Sequence, residues 1–381
     1  MMLPFALLMT ILIVCCAVLP LKLKTHIKLL LVLPVMAMTA KFEIIRLFGG
    51  PMFFAPDLPG WFLQILTWLH VTAFFWIFIL LASTLVRLAA WSVFKFRKRD
   101  FPAIWSTSLN YFNWASLLLA MAFTASGMYY AGKLPQIKHV ELHFAALPAE
   151  AENCRIALLA DLHIDRASDP EKIRKIVDMT NDLQCDLVVL AGDIVDGRVT
   201  ELGSNVALLG KLCAPLGVYG IMGNHEYFSG GMVWKDFLND LGIKMLLNEH
   251  VRLGNAVSLA GITDPAARRL RIPGAMPDIA KTLQGVDPGK FVILLAHRPG
   301  GAAQAAATGV DLQLSGHTHG GMVRGFDQIV ARYNNGLVSG LYQLNDMQLY
   351  ISNGTGIWSG FPVRLGRRSE ITVITLKGNK N

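Results

Sequence analysis

Five short stretches of this chain carry residues that bind divalent cations. They are Asp161-Leu162-His163, Gly192-Asp193-Ile194-Val195-Asp196, Gly223-Asn224-His225-Glu226, His297, and Gly316-His317-Thr318-His319-Gly320-Gly321. Carboxylate and amide oxygens and neutral imidazoles suit hard or borderline divalent ions. Asp193 is central in chain order and could bridge two such ions. Two ions about 3.5–4 Å apart clamp both the attacking and the leaving oxygen of a phosphoryl group, and zinc lowers the pKa of a bound water from 15.7 to about 7. Hydroxide is then available near neutral pH, and no side-chain nucleophile is required. Taken singly, each residue has an ordinary explanation: an Asp after a strand caps a helix, and Gly-Asn makes a turn. The ordered recurrence of all five points to a metal centre.

Each stretch follows a short apolar run, at 156–160, 187–191, 218–222, 291–296 and 310–314. Runs of this length read as buried strands. Amphipathic stretches at 170–183 and 231–241 lie between them, the first opened by Asp169 as cap and Pro170 as first helical residue. Further strands are expected at 257–260, 347–351 and 371–375, and residues 133–139 are read as a link into the first strand. The alternation predicts a layered α/β domain with helices covering the sheet. In open α/β sheets ligands bind just beyond the carboxyl ends of the strands, where the five stretches fall.

The order Asp-x-His, Gly-Asp-x-x-Asp, Gly-Asn-His-Glu, His, Gly-His-x-His resembles the calcineurin-like metallophosphoesterase superfamily over about residues 138–376. The motifs GHTHGG at 316–321 and LYISNGTG at 349–356 make it most similar to bacterial membrane-bound, multi-pass members. The chain departs from the family pattern at Met322, where Gln is frequent, and at Arg367-Arg368-Ser369, where prolines are frequent. The resemblance implies a four-layer sheet sandwich flanked by helices over 138–377. It also implies two divalent metal ions, Mn, Fe or Zn. Asp161, His163 and His319 would hold the first ion, Asn224, His297 and His317 the second, and Asp193 would bridge. His225 would be the general acid, with Asp196 orienting it.

The N-terminal third has a different character. Apolar residues make up 53% of the 381-residue chain and charged residues 16%, against about 25% charged in a typical soluble domain. Residues 1–140 hold 12 Lys/Arg and 3 Asp/Glu, and residues 141–381 hold 23 and 24. The basic excess therefore belongs to the apolar part, which reads as membrane orientation and excludes a basic nucleic-acid face on the polar domain. Apolar runs long enough to cross about 30 Å of hydrocarbon predict an all-α transmembrane bundle over 1–135, with helices at 3–21, 27–48, 61–86 and 109–131. The first has no basic residue before its apolar core and no clear small-x-small cleavage site, so it reads as a retained helix. Lys22, Lys24 and Lys28 in the first loop and Arg87, Lys95, Arg97, Lys98 and Arg99 in the third share one side if four helices cross. The positive-inside rule makes that side cytoplasmic and the catalytic domain non-cytoplasmic, at the inner membrane.

Two features bear on substrate. Arg268, Arg269 and Arg271 cluster in a loop bounded by Pro and Gly, where they could hold a phosphate or touch lipid headgroups. The aromatic-rich segment 322–345 follows the His317/His319 loop and could wall the pocket. The combined expectation is a membrane-anchored binuclear phosphoesterase working by metal-bound hydroxide on a phosphorylated, membrane-associated and lipid-linked substrate. A pyrophosphatase of a nucleotide-activated lipid sugar is the enzymatic alternative. A membrane sensor or an interaction module using the same fold is the non-enzymatic one.

Overall fold

The computed structural model describes residues 2–50, 52–100, 102, 109–272, 275–287 and 289–379. The chain divides into two compact units, Met1–Tyr129 and Tyr130–Asn381.

The first unit is helical. Helix α1 (Met2–Ile13) runs into a π-helical turn (Val14–Val18) and is followed by α2 (Thr25–Thr39), α3 (Lys41–Phe48), α4 (Gly60–Phe96) and α5 (Leu109–Gly132), whose last residues reach into the second unit. Small polar groups join the helices: Thr10 Oγ1 lies 2.7 Å from Thr39 Oγ1, Trp76 Nε1 donates to Ser116 at 2.9 Å, and Asn113 Nδ2 donates to the Ala17 carbonyl at 3.0 Å. Large apolar side chains such as Leu29, Leu30, Leu33, Leu85 and Leu118 point outward. Among the described residues one helix, α4, is long and apolar enough to cross a membrane, with 37 residues, or about 55 Å at 1.5 Å per residue.

The expected single helix over 27–48 is not formed. It breaks at Ala40, whose φ of −83° and ψ of 4° interrupt the helix. Its two parts, of 15 and 8 residues, are about 22 Å and 12 Å long. The sequence reason is the charged stretch after Ala40: Lys41 and Glu43 are buried, and Glu43 pairs with Arg46 at 2.7 Å. Residues 101 and 103–108, before the helix expected at 109–131, lie outside the described residues.

The second unit is a layered α/β fold. Among its strands are β5 (Ile243–Met245), β6 (Glu249–Leu253), β7 (Val257–Gly261), β10 (Gly340–Leu344) and β11 (Met347–Ile351); numbered in chain order, one six-stranded sheet runs β1-β12-β2-β3-β4-β5 and the other β10-β11-β9-β8-β7-β6. In the first sheet β2 (Arg155–Leu159), β3 (Leu187–Ala191) and β4 (Val218–Ile221) pair in parallel, with Leu159 opposite Leu190 and Ala191 opposite Ile221. In the second, β8 (Phe291–Leu295) and β9 (Leu312–Ser315) are parallel, with Leu295 opposite Leu314. In-register parallel pairing brings the carboxyl ends of neighbouring strands to one edge of each sheet.

Strand residues on one face of each sheet, among them Ile156, Leu158 and Val189 with Leu259, Ile293 and Leu312, form a shared core. The alternate residues Ala157, Val188 and Leu190 pack against helices α6 (Pro170–Asp182), α7 (Val199–Val206) and α9 (Met232–Asp240) through Ile173, Ile176, Val206, Trp234 and Leu238. Val292, Leu294, Leu349 and Ile351 pack outward with Ala302 and Ala305. Period-2 alternation of buried residues on both faces is what a sheet covered on each side requires. The segment from residue 136 onward is not a link: Gln136–Phe144 is β1, paired in parallel with β12 (Glu370–Gly378). Local patterning did not reveal it because its partner lies more than two hundred residues away.

Candidate metal centre

The residues after β2, β3, β4, β8 and β9 converge. Three overlapping groups could each hold a metal ion: Asp161, His163 and His319; His163, Asp193 and His225; and Asp193, His297 and His317. Asp193 Oδ2 lies 3.8 Å from His163 Nε2, 3.8 Å from His225 Nε2 and 3.1 Å from His297 Nε2. His319 Nε2 lies 3.0 Å from His163 Nε2 and 3.7 Å from Asp161 Oδ1. The rings of His297 and His317 meet edge to face at 5.0 Å.

The backbone is bent to make this possible. Asp161, His163, Asp193, His317 and His319 all have left-handed φ, between 48° and 71°. For residues with a Cβ such conformations cost on the order of 1–3 kcal/mol each and persist where surrounding structure enforces them. Two glycines permit the close approaches. A Cβ on Gly223 would land on the Asp193 carboxylate, and one on Gly316 would come 2.5 Å from Asp161 Oδ2.

The polar groups behind the centre fix which nitrogen faces it. A carboxylate only accepts, so His225 Nδ1 donates to Asp196 Oδ1 at 2.5 Å and His163 Nδ1 donates to Asp196 Oδ2 at 3.1 Å. His297 Nδ1 donates to the Ala191 carbonyl at 2.8 Å. Each ring therefore turns Nε2 to the centre, the arrangement of metal-binding histidines whose other nitrogen is held by an outer acceptor. Asn224 opens helix α8 (Asn224–Phe228), and its Oδ1 is buried without a hydrogen-bond partner among the described residues. A buried, unsatisfied amide oxygen beside carboxylates and imidazoles fits a cation ligand.

The protein's own charges are strongly coupled here. Burial alone would lower the His225 imidazole, but Asp193 and Asp196 override it and push it up to about 9. His297 behaves likewise, pushed up to about 10 by Asp193 first. Burial would raise Asp196, yet His163 and His225 hold it at about 2. Burial raises Asp161.

Several contributors were not assigned from sequence. Glu226 is fully buried, and its carboxylate accepts from the backbone N–H of Asp193, Ile194, Val195 and Gly223 at 3.0, 2.6, 2.9 and 2.6 Å. It ties the loop after β3 to the loop after β4. The signal was present, since an acid three residues after Gly223 is the far half of a capping box. Arg364, 1% exposed, donates to the carbonyls of His319 at 2.7 Å and Gly356 at 2.9 Å. No local pattern marks it. The Asn-Gly-Thr-Gly run also has a job: Thr355 N donates to the Ala160 carbonyl at 2.6 Å, and Gly356 N to that of Asp161 at 3.0 Å. Asn353 and Tyr350 donate to Glu370 at 2.8 Å each. Trp358 and Phe228 stand edge-on to His225, with ring centroids 6.1 and 6.2 Å away.

The arginine cluster is not drawn into the centre. Arg268, Arg269 and Arg271 lie on and just after the short helix α10 (Ala266–Arg269) and are exposed. In segment 322–345, Leu337 is buried, whereas Tyr333 and Leu341 are exposed.

A family model described as calcineurin-like phosphoesterase matches residues 154–321. A Danio rerio protein named "Transmembrane protein with metallophosphoesterase domain" is 36% identical over 272 residues, covering 69% of this chain and 62% of that protein. A Helicobacter pylori protein named an uncharacterized metallophosphoesterase is 33% identical, covering 70% of each. An Aquifex aeolicus protein with the same description is 31% identical, covering 67% of this chain and all of that protein. The chain thus spans 62% of the length of its vertebrate relatives, and animal and bacterial proteins both stand among the matches.

Proposed function

Because the chain belongs to the calcineurin-like metallophosphoesterase family, we propose that it is a membrane-anchored hydrolase of phosphoester bonds that uses two divalent ions, Mn, Fe or Zn. One observation carries the reading: a single oxygen, Asp193 Oδ2, lies within 3.8 Å of the Nε2 atoms of His163, His225 and His297. The residues fit the cations. Asp161, His163 and His319 would hold one, and Asn224, His297 and His317 the other, with Asp193 shared. When bound, such ions neutralise phosphoryl oxygens and make hydroxide accessible near neutral pH.

The chain's own groups supply the rest. His225 holds its Nε2 toward the centre and its Nδ1–H on Asp196. Asp193 and Asp196 push its imidazole up, which favours the protonated ring that can hand a proton to the oxygen that departs from phosphorus. Asp196 positions that ring together with His163. Glu226 accepts the Asp193 amide at 3.0 Å and so ties the backbone beside that carboxylate. Purified full-length protein in detergent, loaded in turn with Mn, Fe(II) and Zn, should cleave members of a panel of phosphomonoesters, phosphodiesters and pyrophosphates. No turnover with any metal refutes the assignment.

The outward-facing apolar side chains of the helical unit, together with α4, support anchoring in a bilayer by more than one segment. We propose a multi-pass protein of the inner membrane with the catalytic unit on the non-cytoplasmic side. That placement requires α2 and α3 together to complete one crossing, which would put both basic loops on the cytoplasmic face. A C-terminal accessibility tag labelled from outside the membrane supports it, and labelling only after the inner membrane is opened refutes it. Holding the centre close to a bilayer raises its effective concentration near lipid-linked phosphates, which makes these the favoured substrate class. Profiling lipids of cells carrying His225→Ala should reveal one phosphorylated lipid that accumulates. If a nucleotide-activated lipid sugar is what accumulates, the enzyme is a pyrophosphatase.

A further inference from the structure

Five arginines of the α/β unit pair with acids, Arg166 with Glu201, Arg174 with Glu171, Arg252 with Asp287, Arg298 with Asp264 and Arg367 with Asp327, while Arg324 and Arg332 are exposed singly without an acid partner among the described residues. Arg268, Arg269 and Arg271 are different. Three guanidinium groups occupy four consecutive positions, all exposed, and none pairs with a carboxylate among the described residues. The acids flanking them in sequence are engaged elsewhere: Asp264 pairs with Arg298 at 2.7 Å, and Asp278 accepts from Lys281 N at 2.9 Å as a helix cap.

Large apolar side chains in and around the cluster are exposed as well. Leu270, between the arginines, is 44% exposed, Met276 58% and Val233, at the start of α9, 59%. Ile272 draws these parts together: it packs against the core that contains Trp234, and its Cδ1 lies 3.6 Å from where a Cβ on Gly231 would stand. Behind the arginines, α10 packs against α8, the helix that carries Asn224 and His225.

Unpaired cations alternating with exposed large apolar groups match the chemistry of an anionic bilayer surface, where guanidinium meets phosphate and the apolar side chains enter the headgroup region. A nucleic-acid face would be a basic stripe without such apolar content, on a basic domain, and residues 141–381 carry a slight acidic excess. We propose that Arg268, Arg269 and Arg271, with Leu270, Met276 and Val233, dock the α/β unit onto anionic lipid headgroups. The contact rests on the membrane anchoring proposed above and would set the helix bearing His225 near the headgroup plane. Each arginine near such a surface contributes about fivefold, so the three together amount to roughly a hundredfold at low salt.

The test is hydrogen exchange of full-length protein in nanodiscs of phosphatidylcholine alone or with one third phosphatidylglycerol. Backbone amides of segment 266–272 should exchange at least about tenfold more slowly with the anionic lipid. The difference should vanish in high salt, as expected for a screened contact, and in the variant R268Q/R269Q/R271Q. Equal exchange in the two lipids overturns the inference. So does equal protection in phosphatidylcholine discs by soluble glycerol phosphate, which would make the arginines a site for free phosphate. Failure of the protein to incorporate into discs sinks the anchoring and the docking together.

Discussion

Glu226→Gln is a sharp test of how the centre is held. The wild-type carboxylate receives four backbone N–H groups, two on each oxygen: Ile194 and Val195 on Oε1, Asp193 and Gly223 on Oε2. Glutamine keeps the shape and one accepting oxygen, but its NH2 faces two donors and can accept from neither. Two hydrogen bonds to a charged group are lost, at about 1.5–3 kcal/mol each, or about 3–6 kcal/mol in all. Against a typical total stability of about 5–15 kcal/mol, that is a large fraction. For a unit of this size each kcal/mol moves Tm by about 2–4 °C, so Tm should fall by at least ~6 °C in differential scanning fluorimetry of the detergent-solubilised chain. Either pair of amides that loses its acceptor includes at least one from the loop that carries Asp193, so bound metal measured by elemental analysis should fall as well. An E226Q protein with wild-type Tm and metal content would refute the claim that this carboxylate clamps the two loops.

Asp193→Asn weakens the oxygen between the two ligand groups, so metal content per chain should drop and activity should fall by more than the 10–100-fold typical of losing an outer-shell partner. Unchanged stoichiometry would count against a shared ligand. His225→Gln should retain metal while kcat falls roughly 10²–10⁴-fold on esters with poor leaving groups, and the loss should shrink on a nitrophenyl ester, which needs no proton; a uniform loss on both would remove His225 as general acid. Asp196→Asn takes away a negative charge that raises the His225 pKa to about 9. The imidazolium is then less favoured, its pKa falls, and the alkaline limb of the kcat–pH profile should move to lower pH. An unmoved limb would show that another group sets it.

Much of the candidate centre was visible in the chain because each candidate ligand follows a buried strand, and buried parallel strands announce themselves as short apolar runs. Asp161, Asp193, Asn224, His297 and His317 are each placed by the end of the strand before them. The elements that escaped reading are those whose pairing is distant. Strand β1 is specified by β12, at the other end of the α/β unit, so nothing within its own window distinguishes it from a linker. The helix expected over 27–48 failed for the converse reason. Its apolar content extends past residue 40, but Lys41, Glu43 and Arg46 change the helix face that must be buried, and the backbone turns at Ala40.

The sequence by itself determined the candidate ligand types, their order, and the edge of the sheet on which they would emerge, since side-chain chemistry and strand periodicity are local properties. Tertiary structure alone decided that Asp193 Oδ2 lies between three imidazoles, that Glu226 gathers four amides from two loops, and that Arg364, 45 residues beyond His319, holds that histidine's carbonyl. It also left three neighbouring arginines without acidic partners among the described residues. These are contacts between segments far apart in the chain, and their geometry depends on how two sheets pack, which no single segment encodes.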